Sequence, residues 1–128
     1  MIYTSRETAV AVFEELFTIL IHDEHVNAKM REANLDARIV HKNPDFEVYF
    51  SPDKVLIDSD INNAAISIKM SCDTAHSLWR GELLMPLALA MGKVRIKGSI
   101  PKVLEFVPML EPAFNRYDEI YNKHTSLV

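Results

Sequence analysis

Apolar positions in the first third of the chain repeat at helical spacing. Phe13, Leu16, Phe17, Leu20 and Ile21 fall on one face of a 3.6-residue period, with Glu14, Glu15 and Asp23 largely elsewhere. Thr4 followed by Glu7 is a capping-box pattern and predicts where that helix starts. A weaker stripe, Val26, Met30 and Ala33, predicts a second helix over residues 24–34. No Gly or Pro precedes Pro44, so the break between the two helices stays open at this point.

The period changes from about residue 36. Residues 37–40 read as a short strand, and Asn43-Pro44-Asp45 supplies turn chemistry. Phe46, Val48 and Phe50 alternate with Glu47 and Tyr49, a period of two. After Ser51-Pro52-Asp53, residues 55–57 give a third strand, and short turns make these three an antiparallel meander. Following a polar loop over residues 58–63, Ile66, Ile68 and Met70 alternate with Ser67 and Lys69: a fourth strand with one buried face. Asp73 is the expected cap of a short helix holding Ala75, Leu78 and Trp79, and Gly81 its stop. Residues 83–91 are nine apolar positions in a row, too apolar for a surface helix. Val94 and Ile96, alternating with Lys93, Arg95 and Lys97, make a fifth strand. Ser99 caps a helix with Pro101 in its first turn, Pro108 shortens or distorts it, and Phe114, Tyr117, Ile120 and Tyr121 mark a last amphipathic helix.

Composition adds exclusions. The 128 residues fit one domain, 1–128, and 48% hydrophobic with 25% charged residues is globular composition. Lys plus Arg is 14 against 18 for Asp plus Glu, a net charge of −4, which argues against a dedicated nucleic-acid binder. A membrane span needs about 20 apolar residues, and the longest run is interrupted at Pro86. Arg6, Glu7, Glu14 and Glu15 break any signal-peptide pattern. One cysteine, Cys72, makes no intramolecular disulfide, which suits a reducing compartment and most simply the cytoplasm.

The stretch AAISIKMSCDTAHSLWRGELLMPLALAMGKVRIKGSIPKVLEFVPML, residues 64–110, resembles the sterol carrier protein 2 (SCP2) lipid-binding family. A strand ending in hydrophobic-x-Met leads to a Ser/Asp-capped helix stopped by Gly81, an apolar segment, Gly-Lys-x-x-x-x-Gly from Gly92 to Gly98, and an apolar helix. The first 63 residues match only in element order. The resemblance implies an α+β fold, a five-stranded sheet with helices packed over one face, enclosing an apolar cavity for fatty acyl chains, sterols or other lipids. It implies no catalysis and no cofactor, and it allows lipid transfer, presentation to an enzyme, or an accessory role in isoprenoid quinone synthesis. Two departures stand out. The chain ends Ser126-Leu127-Val128 rather than in a peroxisomal Ser-Lys-Leu signal, and Pro86, Pro101, Pro108 and Pro112 fall in the helices that would wall the cavity.

Candidate walls are Ile66, Ile68 and Met70 from one strand and Val94 and Ile96 from another, with Leu84, Leu87, Ala88 and Met91 from the apolar segment and Val103, Leu104, Phe106 and Val107 from the next helix. Methionine adapts to irregular contents. The alternative for each is a place in a solid core. A lipid's polar end is expected near the mouth, and transient membrane contact is a possible partner interaction; the oligomeric state is not legible.

Other constellations offer weaker chemistry. His22 and His25 flank Asp23 and Glu24 at a spacing that can bind metal on a helix, but without a third ligand a role at the helix C-terminal dipole is favoured. Cys72 and His76 at a helix start would suit a small thiol enzyme, set against a buried structural Cys. Lys93, Arg95, Lys97 and Lys102 would suit anionic headgroups, set against the solvated face of a half-buried strand. A further reading takes residues 83–91 as a protein-interaction surface.

Overall fold

In the computed structural model, which describes residues 2–125, the first apolar stripe becomes α1 (Arg6–His22) with all five expected stripe residues buried. The Ser126-Leu127-Val128 end lies outside the described residues. The cap of α1 is Ser5, whose hydroxyl accepts from the Thr8 N–H at 3.3 Å, not Thr4. The open break falls at Asp23. Its extended backbone ends α1, and its carboxylate accepts from the Val26 N–H at 3.0 Å to start α2 (Glu24–Glu32). One acidic side chain thus turns a single helical pattern into two helices.

The strands are β1 (Ala37–Lys42), β2 (Phe46–Ser51), β3 (Lys54–Ile57), β4 (Ile66–Ser71) and β5 (Val94–Lys97), in the order β3-β2-β1-β4-β5. The meander is antiparallel as expected, β4 runs parallel to β1, and β5 closes the edge antiparallel to β4. β1 extends two residues beyond the expected end, which places His41 in the sheet opposite Met70.

Of the remaining helices all but the last are short. They are α3 (Cys72–Trp79), α4 (Met85–Ala90) and α5 (Ile100–Phe106), then a 3-10 turn (Val107–Leu110) and α6 (Glu111–Thr125). Ser71, not Asp73, caps α3, accepting from the Thr74 N–H at 3.0 Å; Asp73 sits in the first turn and accepts from the Ile2 N–H at 2.8 Å. Pro86 and Pro101 open α4 and α5, Pro108 lies in the 3-10 turn, and Pro112 is the second residue of α6. Prolines therefore divide the roof into short helices rather than breaking any of them, because a first turn needs no N–H from them.

α1 lies across β2 and β3 and packs against α6, which leaves the β1–β4 part of the sheet to be covered by other elements. α4 packs on β5. The inner face carries Phe46, Val48 and Phe50 from β2, Ile39 and His41 from β1, and Ile66 and Met70 from β4, all buried.

Candidate functional site

A cavity of about 460 Å³ lies between the exposed part of that inner face and the short helices. Its floor is two parallel, in-register strands: Ala37, Ile39 and His41 of β1 beside Ile66, Ile68 and Met70 of β4. Parallel pairing puts equivalent residues on one face, so a period-two apolar pattern becomes a continuous apolar floor. Phe50 of β2 and Phe17 of α1 close one side. Leu78 and Trp79 of α3, Val103 and Phe106 of α5, Val107 of the 3-10 turn and Phe114 of α6 form the roof. Leu83, Leu84 and Met85 stand at the opening with Glu111, and Leu84 is 67% exposed.

Of the candidate wall residues, Ile66, Ile68, Met70, Leu84, Val103, Phe106 and Val107 line this cavity. Leu87, Ala88, Met91, Val94, Ile96 and Leu104 do not. Val94 and Ile96 point to the same face as Met70 and Ile68, but α4 covers their strand. Leu104 sits next to Val103 on α5, about 100° around the helix from it, whereas Val103, Phe106 and Val107 share one stripe. The apolar segment is corrected more sharply. Ala88 is its fully buried residue, and Leu87 and Met91 are more than half exposed, so α4 is a surface helix with an apolar outer stripe despite its composition.

The sequence reading missed Ala37, Ile39, His41 and Phe50, Trp79 and Phe114. The signal for the β1 residues was present, because Ala37, Ile39 and His41 continue the alternation. Ending the strand at Val40 hid it.

His41 is the polar member of the floor. It is 1% exposed and stacks on Phe46 at 4.4 Å between ring centroids, with Phe13 at 4.6 Å completing a cluster of three rings. Neither ring nitrogen makes a hydrogen bond of good geometry or reaches accessible surface, though the Ile39 backbone lies close enough to interact with the ring and favour its protonated form. Burial pushes its pKa down to about 3, so the ring is neutral at neutral pH.

Cys72 and His76 do not form a catalytic pair. The thiol is fully buried, donates to the Pro44 carbonyl at 3.4 Å, and is pushed up to about 12 by burial and then by Asp73 and Asp45. A thiol so held is no nucleophile at neutral pH, and the thiol-enzyme reading falls with it. His76 instead bonds the Tyr117 hydroxyl through Nδ1 at 2.8 Å, and that hydroxyl meets the Tyr3 hydroxyl at 2.6 Å. His22 and His25 fall on different helices parted at Asp23, and His22 Nδ1 donates to the Thr18 carbonyl at 2.7 Å in the last turn of α1. Among the described residues no cluster of His, Cys, Asp and Glu could hold a metal ion. Arg95 and Lys97 pair with Lys69 and Ser67 on the outer face of the sheet and are exposed, as a solvated strand face requires. Among the described residues no helix is long and apolar enough to cross a membrane.

No protein-family model and no curated protein sequence matches the chain. Solved structures do. The apo form of sterol carrier protein 2 from Yarrowia lipolytica superposes with a TM-score of 0.67 at 17% identity, covering 90% of this chain and 99% of that one. The chain has the SCP2 fold. A UbiJ-SCP2 ubiquinone synthesis protein matches at TM-score 0.60 and 18% identity over 84% of this chain and 97% of that one. Sterol carrier protein 2 of Aedes aegypti, in complex with the C16 fatty acid palmitate, matches at TM-score 0.56 and 15% identity over 77% of this chain and 94% of that one. The resemblance seen in residues 64–110 thus extends, as fold, to the SCP2-like helices and sheet of the first 63.

Proposed function

We propose that this SCP2-like chain binds an apolar lipid or acyl chain non-covalently and carries it shielded from water. The observation that carries this reading is the cavity: about 460 Å³ with an aliphatic and aromatic floor and roof. That volume falls in the range of about 300–1,000 Å³ usual for ligand sites. A dry void of that size would cost about 11 kcal/mol at roughly 24 cal/mol per Å³, comparable with the whole stability of about 5–15 kcal/mol of a domain. Filling it with apolar chain removes that cost and buries ligand surface at about 25 cal/mol per Å². The palmitate bound to the Aedes aegypti neighbour supports the reading.

The mechanism is sequestration, with no bond made or broken. The exposed Leu84, Leu87 and Met91 suit a transient contact with a membrane during loading, and a buried, neutral Cys72 suits a reducing cytoplasm.

Native mass spectrometry of freshly purified protein, with solvent extraction, tests this directly. A stoichiometric lipid-sized adduct is expected. A bare mass together with no thermal shift from fatty acids, acyl thioesters, sterols or quinones would sink the proposal. Two variants locate the site: Val103→Asp abolishes uptake, whereas Leu104→Asp, one residue away and outside the cavity, retains it. The same exposed stripe favours one rival, a protein-interaction surface on α4. That rival predicts self-association of the pure chain in light scattering, and a clean monomer counts against it.

A further inference from the structure

Charge is unevenly placed along this chain. Between Leu83 and Leu104 stand Lys93, Arg95, Lys97 and Lys102 and no Asp or Glu, so all 18 acidic residues of a chain of net charge −4 lie elsewhere. The four cations are exposed, and among the described residues none of them makes an ion pair, although half of the 14 basic side chains do. Arg95 stands directly across the sheet from Lys69, a further exposed and unpaired cation. Like charges placed opposite one another on neighbouring strands oppose folding. The same stretch holds four of the five exposed large hydrophobic side chains among the described residues. Leu84, Leu87 and Met91 stand at helical spacing along α4, and Ile100 opens α5. Lysine on an edge strand guards against pairing with another chain. That role asks neither for a like-charge pair across the sheet nor for an apolar stripe beside it.

We propose that this face, α4 with the free edge of β5, docks on an anionic lipid bilayer. β5 is the last strand of the sheet, so no strand lies beyond it. α4 packs on β5, whose Val94 and Ile96 point to the inner face, while Arg95 and Lys97 point to the outer one. Lys93 follows α4 directly, after Gly92. The edge therefore runs between an apolar stripe and a row of cations. Laid on a bilayer, the stripe enters among the acyl chains, and the long stems of Lys and Arg carry their charged heads to the phosphates. An acidic protein would satisfy the cations, but Leu84 favours the bilayer. It belongs both to the stripe and to the opening of the cavity, so docking sets that opening against the layer that supplies or takes the ligand. This rests on the lipid-carrier reading and deepens it by naming the chemistry of the membrane and the residues that meet it.

The test floats the full chain with vesicles of phosphatidylcholine alone, and of phosphatidylcholine with phosphatidylglycerol in equal parts. Binding to the anionic vesicles is expected to exceed binding to the neutral ones and to fall as salt is added. Arg95→Gln and Lys97→Gln should each lower partitioning about fivefold at low salt. Leu87→Gln with Met91→Gln should weaken binding at every salt concentration, because that part of the contact is apolar. These four side chains are exposed or half-exposed and line no part of the cavity, so lipid uptake in native mass spectrometry should not change. Equal binding to the two vesicles, or charge variants that bind like the unaltered chain, overturns the docking face and leaves the carrier reading intact. A chain that docks through these residues yet takes up no lipid overturns the carrier reading instead. Binding to neither vesicle, the result an acidic protein partner would give, overturns the proposal. Should a variant not fold, a nitroxide-labelled phospholipid in anionic bicelles decides on the unaltered chain. It should broaden the amide signals of α4 and β5 first, and broadening centred elsewhere overturns the proposal.

Discussion

Tyr117 is completely buried, and its hydroxyl joins Tyr3 on one side to His76 on the other. Burial raises the pKa of both tyrosines and lowers that of His76, so the three are neutral partners rather than charges. Tyr117→Phe deletes the shared hydroxyl and leaves two buried groups short of a partner. A loss of about 1–3 kcal/mol is expected in urea unfolding. His41 yields a pH prediction. The folded ring titrates near 3 against an ordinary value of 6.5, so between those values the unfolded chain binds the extra proton. Stability is fully present above pH 6.5 and falls with pH through that window, by at most about 1.4 kcal/mol per unit. His41→Phe is expected to flatten that part of the stability–pH curve, measured by denaturant melts from pH 4 to 7. Cys72 marks the limit of sequence reading at this scale. Its spacing to His76 was legible, but whether the two side chains met depended on Pro44, 28 residues away, and Tyr117, 41 residues from His76.

At the scale of elements, the apolar period and the turn and cap residues located the five strands and the helices other than α4, while the caps shifted by a residue or two. Ser5 and Ser71 displaced Thr4 and Asp73 because several Ser, Thr and Asp residues stand together at each helix start, and packing decides which one has the extended backbone. The junction between β5 and α5 shows a tighter constraint. Gly98 has φ +113°, and a Cβ there would stand 2.8 Å from the Ala65 carbonyl oxygen at the start of β4. Gly92, at φ +73°, has open space around it. Gly92→Ala should cost about 1–2 kcal/mol from backbone conformation alone, and Gly98→Ala measurably more, read as the difference in chemical-denaturation midpoints. An equal cost would mean the β4 contact yields freely. The apolar helix α4 is where element-level reading failed: Leu87 and Met91 look like core positions, but α4 packs on β5 with Ala88 buried and leaves both more than half exposed.

For the molecule as a whole, the cavity is the decisive feature, and it belongs to no single element. Helix α1 packs mainly on β2 and β3, and α3, α5, the 3-10 turn and α6 supply the rest of the cavity's cover. A bound ligand stabilises only the folded state. At a free concentration about a hundred times Kd the gain should be about 2.7 kcal/mol, visible as a rise in Tm that scales with the logarithm of ligand concentration. A rise with hexadecan-1-ol but none with a short alcohol such as butanol is the expected pattern, because only the longer body fills the volume.

The sequence by itself determined the alternation of the strands, the order of the elements, the turns, the proline-marked helix starts and, through residues 64–110, the resemblance that named the fold. These are local properties, set by side-chain period and backbone chemistry over a few residues. Only the tertiary structure decided which apolar residues face a void and which fill the core, since Val103 and Leu104, or Ala88 and Leu87, differ in direction and not in composition. It also decided that His41 is a lone polar group in an apolar floor and that Cys72 is a silent thiol. Both depend on neighbours brought from far along the chain, and no periodicity within a segment records them.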